Sequence, residues 1–235
     1  ATKTAHLQHD EMDGEADVRR AVEESVLSSL AALHVEHLPF YLVHNTDNLG
    51  LPGIWEELLR QKQLGRVGRL GVSISARPVE MVEQVLKLED LSAVQVALNI
   101  LDQRLVRSGM LQRLADAGVT VFARSVYLQG LLVMPESAVP EHLQVALPWK
   151  RRVNELAEQW QLDPRQLAVQ FVLGLPGVRT VVLGCETVEQ VRQNAELADA
   201  PALTPEQIKV LREMPEAPAE VVEPWLWTGA TKPKY

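Results

Sequence analysis

Short, nearly all-apolar runs alternate along this chain with longer amphipathic ones, and that alternation narrows the choice of fold more than any other feature. The runs read as strands. The end of one is Ala1-Thr2-Lys3-Thr4-Ala5; then come Leu38–His44, Val67–Ser73, Ala93–Asn99, Val119–Ser125 and Val178–Gly184. Strands this apolar are expected where both faces are covered. Between them lie helical patterns. Val18, Val22, Val26, Leu30 and Leu33 predict a helix over 16–34, and Ile54, Leu58 and Leu59 predict one closing near Gly65. Met81, Val82, Val85 and Leu86 follow Pro78, and Leu111, Leu114 and Ala115 precede a stop at Gly118. Strand-to-strand spacing is about 25 to 30 residues, the length of one βα unit of a parallel sheet.

After the fifth strand the rhythm breaks. Tyr127 to Pro148 is a long, proline-containing connection with room for a small element of its own. One helix then carries Val153, Leu156 and Trp160, and another starts at Asp163-Pro164, with Asp as cap and Pro at the first helical position. Thr187 with Gln190, and Thr204 with Gln207, each predict a capping box. From Pro215 a tail holding Trp225 and Trp227 reads as irregular; it either lids the mouth of the fold or covers a seam. A doubly wound nucleotide-binding sheet would place a G-x-G-x-x-G turn after its first strand, and the chain has none. Instead polar or small residues stand at successive strand ends: Lys3, His44, Ser73, Asn99 (with Gln95 inside the strand), Ser125 and Gly184. That distribution predicts a TIM-type (β/α) barrel over 1–214, in which strand tips converge on one face and host chemistry.

Charge and composition exclude other classes. A net charge of -8 argues against nucleic acid, because a phosphate-binding surface needs clustered Lys and Arg. No apolar run approaches the roughly 20 residues that span a bilayer. The single Cys185 rules out an internal disulfide and fits a cytoplasmic, reducing setting; it is expected as small packing. His6, His9, His34, His37 and His142 read as surface residues, and His34 with His37 lack a third ligand at zinc spacing. Asp102 and Glu186 read as caps.

Five stretches together, in order and spacing, resemble the aldo-keto reductase family in its bacterial form. They are Thr2-Lys3; Tyr41-Leu42-Val43-His44; Gly65 through Ser73; Val94 through Asp102; and Gly184 through Asn194. The resemblance implies an eight-stranded barrel that reduces a small carbonyl substrate, an aldehyde or ketone, to an alcohol with NADPH or NADH. Arg124 through Leu132 further resembles bacterial members associated with polysaccharide and sugar-nucleotide functions, which implies a sugar-derived carbonyl.

By resemblance Lys3 and His44 are two members of the catalytic tetrad, whose tyrosine gives a proton to the carbonyl oxygen. The lysine lowers the phenol's pKa from about 10 by favouring the phenolate. In the family the aspartate and tyrosine lie upstream of the lysine, so the chain is expected to represent six of eight strands, without the first two βα units. Tyr41 sits three positions from His44 and is expected to face the other side of the strand. Tyr127 lies just past a strand end, where cofactor-side packing is the plainer expectation.

The resemblance gives Ser73 and Gln95 to the nicotinamide carboxamide, Arg124 to stacking on the ring, and Ser125, Leu128 and Gly130 to the pyrophosphate. Gly184, Thr187, Gln190 and Asn194 go to the adenosine end, at a helix N-terminus. Three departures stand out. Ile74 replaces a common Asn, Arg124 replaces an aromatic ring, and Gln190 replaces the Arg of many NADPH-binding members. Three readings stay open: part of a longer active reductase, a cofactor-binding relative without the proton donor, or a barrel lyase using Lys3 as nucleophile. Exposed strand edges would favour self-association.

Overall fold

The computed structural model describes residues 1–7, 12–75 and 77–227. His9 and the Lys/Tyr end of the chain, read above as surface and tail, lie outside them. Six parallel strands are hydrogen-bonded in chain order: β1 (Thr2–Lys3), β2 (Leu38–Val43), β3 (Val67–Ile74), β4 (Leu91–Ala97), β5 (Thr120–Arg124) and β6 (Val178–Val181). The chain divides into two compact units. The first is Ala1–Val96 with Leu105–Phe122; the second is Ala97–Arg104 with the chain from Ala123 onward.

In the first unit, parallel register pairs Lys3 with Leu42, Val43 with Val72, and Ser73 with Gln95. Helix α1 (Glu15–Leu33) buries Val18, Val22 and Val26 completely, but the predicted face is not covered to its end: Leu30 is half-buried and Leu33 is 54% exposed. Helix α2 (Ile54–Gln63) follows Gly53, whose φ of +79° is the left-handed conformation that glycine adopts without cost. Its Trp55 is 8% exposed, and the indole N–H donates to the Glu89 carbonyl at 3.0 Å. Helices α3 (Pro78–Val85) and α5 (Met110–Asp116) complete the helices of this unit; the short α4 (Arg104–Arg107), which starts at the last residue of the 97–104 segment, was not anticipated from sequence. Between β3 and β4 the register slips at Leu70/Gly71. A Cβ at Gly71 would lie 2.5 Å from the Ala93 carbonyl oxygen, so this position needs a residue with no side chain.

The ends of β4 and β6 fall two and three residues earlier than the sequence suggested. The expected 93–99 strand runs Leu91–Ala97, because the Asn99 side chain turns the chain: its Oδ1 accepts from the N–H groups of Leu101 and Asp102, each at 2.9 Å. The expected 178–184 strand is Val178–Val181. Its pairing runs out after Val182 N–H donates to the Ala123 carbonyl at 2.7 Å, and the chain then passes into exposed residues.

In the second unit, the connection after β5 holds 3₁₀ turns at Glu136–Ala138 and Glu141–Ala146. Helix α6 (Leu147–Gln159) follows; helix α7 (Pro164–Leu173) is capped by Asp163, which accepts from Arg165 N–H at 2.7 Å. Lys150 of α6 is 1% exposed, its Nζ donating to the Leu132 carbonyl at 3.3 Å. Burial holds that amine below its ordinary pKa. Helix α9 (Pro205–Arg212) has the reciprocal capping box expected of Thr204 and Gln207. At helix α8 (Val188–Ala198) the expected box is not reciprocal. Thr187 Oγ accepts from Gln190 N–H at 3.2 Å, but the Gln190 side chain reaches past the cap to Glu186 N–H at 2.6 Å. In the C-terminal segment, helix α10 (Ala219–Val222) buries Val221 and Val222, and a 3₁₀ turn spans Pro224–Leu226. No described helix is long and apolar enough to cross a membrane.

Candidate active site

Strand register assembles one group of side chains in the first unit. Because β1 pairs with β2 and β3 with β4, Lys3, Ser73 and Gln95 stand at strand positions fixed by the backbone ladder. Lys3 Nζ donates to Gln95 Oε1 at 3.2 Å, and Ser73 Oγ donates to the same oxygen at 3.4 Å. Two donors on one oxygen fix the amide's orientation and leave Nε2 as its donor.

His44 follows β2 directly, held by its own N–H, which donates to Thr4 Oγ at 3.0 Å. Its imidazole lies 5.3 Å from that of exposed His6, tilted by 54°. Burial first, and then the Lys3 charge, hold His44 below the usual histidine pKa, so the ring is neutral at neutral pH. A neutral imidazole offers one N–H donor and one acceptor. Tyr41 faces the other way, as the alternation predicted: it is fully buried, and its hydroxyl meets Ser25 Oγ of α1 at 2.8 Å.

The second unit holds the remaining expected residues. Arg124 Nη1 donates to Ser125 Oγ at 3.2 Å. Ser125, Leu128 and Gln129 have left-handed φ of 58°, 47° and 54°, and Gly130 has 86°. Three non-glycine residues in that region within five positions mark a constrained loop. The Tyr127 hydroxyl donates to Asn194 Oδ1 at 3.0 Å, and Asn194 Nδ2 donates to Cys185 Sγ at 3.2 Å. Burial pushes the Tyr127 phenol up to about 12. Cys185 is exposed, not packed, which corrects the expectation. Gly184 is exposed too, three residues beyond the end of β6, and a Cβ there would meet open space.

At the start of α8 two of the N–H groups are occupied by the helix's own side chains, as above, and Glu189 lies in the first turn. Glu189 is itself paired with Arg192, whose Nη1 lies 4.0 Å from its carboxylate. Asp102, expected as a cap, is instead a buried ion-pair partner: Arg104 grips both its oxygens at 2.8 and 2.9 Å. The sequence reading passed over the tie between Tyr127 and Asn194 and the side-chain role of Asn99. The available signal for Asn99 was an Asn two residues past an apolar strand, followed by two apolar residues and Asp-x-Arg.

The sequence model of the Aldo/keto reductase family matches residues 1–216. Among curated relatives, the chain is 26% identical over 204 residues to the uncharacterized oxidoreductase YqkF of Bacillus subtilis, covering 81% of this chain and 64% of that protein. It is 26% identical over 206 residues to an L-glyceraldehyde 3-phosphate reductase of Escherichia coli O157:H7, covering 78% and 60%. The chain thus spans less than two thirds of the length of these relatives. Among solved structures, the holo form of aldo-keto reductase AKR11C1 from Bacillus halodurans superposes with a TM-score of 0.74 at 22% identity, covering 92% of this chain and 72% of that one. An aldo/keto reductase from Klebsiella pneumoniae in complex with NADP and acetate gives 0.65 at 21% identity, covering 84% and 66%. The sequence match runs through every strand from β1 to β6, and the chain therefore belongs to the aldo/keto reductase family.

Proposed function

We propose that this chain carries part of the centre of an NAD(P)H-dependent reductase that converts a small aldehyde or ketone, sugar-derived in the finer reading, to its alcohol. The observation that supports it most is the convergence of Lys3 and Ser73 on Gln95 in the same unit as a neutral strand-end His44. The donor set suits a nicotinamide carboxamide. Gln95 Nε2 offers a hydrogen-bond donor, and the Ser73 oxygen, whose proton goes to Gln95, offers an acceptor. When bound, the reduced nicotinamide supplies the hydride. His44 would orient the carbonyl oxygen through its N–H. Lys3 would stabilise a phenolate and so ease proton transfer from a phenol.

Among the described residues neither tyrosine, Tyr41 or Tyr127, suits the role of that phenol, because each hydroxyl is already bonded and each pKa is raised. This favours a second reading: on its own, the chain binds cofactor without turning over substrate. In the finer reading of the cofactor, the self-capped start of α8 supports NADH over NADPH. Tryptophan-fluorescence titration with each nucleotide tests the site. Saturable binding with NADH tighter than NADPH is expected, and no binding of either overturns the proposal. Turnover of a panel of short aldehydes and sugar-derived carbonyls separates the two readings.

A further inference from the structure

Most of the second unit's buried polar side chains gather in one place, the turn 97–104. Asn99 is 0% exposed, and Asp102 and Gln103 are each 3% exposed. The Asn99 amide is oriented by its partners without ambiguity. Its oxygen takes the N–H groups of Leu101 and Asp102, so its nitrogen is the donor that meets the Ser125 carbonyl at 3.1 Å. That carbonyl also accepts from Leu128 N–H at 2.8 Å. Both of its lone pairs are therefore used, one by the loop and one by Asn99.

Ser125 is the residue at which the strand gives way to left-handed backbone, with φ 58°. The ladder's last backbone bond here is Leu98 N–H to the Arg124 carbonyl at 3.0 Å. Asn99 thus continues the pairing by one residue with a side chain where the backbone has turned away. The turn itself is anchored at its other end. Arg104, besides holding Asp102, donates to Glu223 at 2.5 Å, just past α10.

We propose that Asn99 is a positioning residue: its amide, in a turn clamped by Glu223 of the C-terminal segment through Arg104 and Asp102, sets the Ser125 backbone and so the shape of the loop from Ser125 to Gly130. The consequence for nucleotide affinity rests on the reductase reading, which gives that loop to the pyrophosphate. The backbone effect does not rest on it.

The test is hydrogen exchange at the Leu128 amide, followed by NMR without added nucleotide, alongside titration with NADH. Asn99→Ser keeps an oxygen that can cap the turn but cannot reach Ser125. It is expected to speed Leu128 exchange about fivefold, the equivalent of one hydrogen bond, and to weaken NADH binding by a similar factor. Glu223→Gln, at the rim, is expected to speed it about twofold. Gln103→Ala is the control for a merely structural role. Gln103 ties the same turn to the Ile100 and Leu211 carbonyls at 2.7 and 2.8 Å without touching Ser125. It should lower Tm and leave Leu128 exchange unchanged. Unchanged exchange in Asn99→Ser, or an equal rise in Gln103→Ala, overturns the proposal. If Asn99→Ser does not fold, Glu223→Gln decides alone: faster exchange at Leu128 supports the clamp, and unchanged exchange overturns it. If the parent protein binds no nucleotide, the reductase reading fails, while the exchange result still stands or falls by itself.

Discussion

The strand-end group of the first unit and the α8 end of the second are built on opposite principles. Lys3, Ser73 and Gln95 project from paired strands, and where they meet is decided by backbone register. Thr187, Gln190, Asn194 and Cys185 are instead joined by side chains that bond one another or nearby backbone. Their helix buries none of its described side chains: Val188 and Val191 are 69% and 54% exposed. A group fixed by register is precise but fails as a whole when pairing slips. A group fixed by mutual caps loses its members one bond at a time.

The sharpest way to break the contrast is at Gly71. Gly71→Ala puts a methyl 2.5 Å from the Ala93 carbonyl oxygen, and backbone cannot give way as a flexible side chain would. A loss of about 1–3 kcal/mol is expected from such overpacking, read as a fall in Tm of about 2–4 °C per kcal/mol. Because the same contact sets the β3–β4 register, nucleotide affinity should fall with it.

The α8 end should instead respond locally. Gln190→Arg withdraws the side chain from Glu186 N–H and brings a guanidinium to the first turn. A charge-assisted bond to a 2′-phosphate is worth about 1.5–3 kcal/mol. The ratio of NADPH to NADH affinity should therefore rise about tenfold or more, with Tm nearly unchanged. A Tm loss as large as that of Gly71→Ala would erase the distinction between the two regions.

The smallest effect concerns His44. Its folded pKa lies below 6.5 because burial and Lys3 disfavour the imidazolium. The unfolded chain therefore binds the proton more readily. The stability due to His44 is complete above pH 6.5, declines as pH falls from there toward the folded pKa, and levels off below it. Thermal melts from pH 7.5 to 5 should show a shallower decline in His44→Gln than in the parent; parallel curves would contradict the depressed pKa.

The first unit was the more legible in sequence for the same reason that it is the more register-bound. Apolar runs and their polar tips lie in plain order, so Lys3, His44, Ser73 and Gln95 could be picked out one strand at a time. The direction of Tyr41 followed from alternation alone. Strand lengths were harder, because β4 and β6 end where a side chain or a run of exposed residues interrupts pairing rather than where apolar residues stop. At α8 the Thr187 cap was legible. The path of the Gln190 side chain was not, because Glu186 and the cap residue compete for the same amide at nearly the same distance in sequence. The ion pair of Arg104 with Glu223 joins residues 119 positions apart, and no local pattern announces such a partner.

Trp55 offers a practical return on its surroundings. Its indole is tucked against the first unit and tethered to the Glu89 carbonyl, so its emission is blue-shifted while that packing lasts and moves to the red once water reaches the ring. With the chain's four other tryptophans replaced by phenylalanine, this fluorophore becomes a private thermometer for the packing of the first unit.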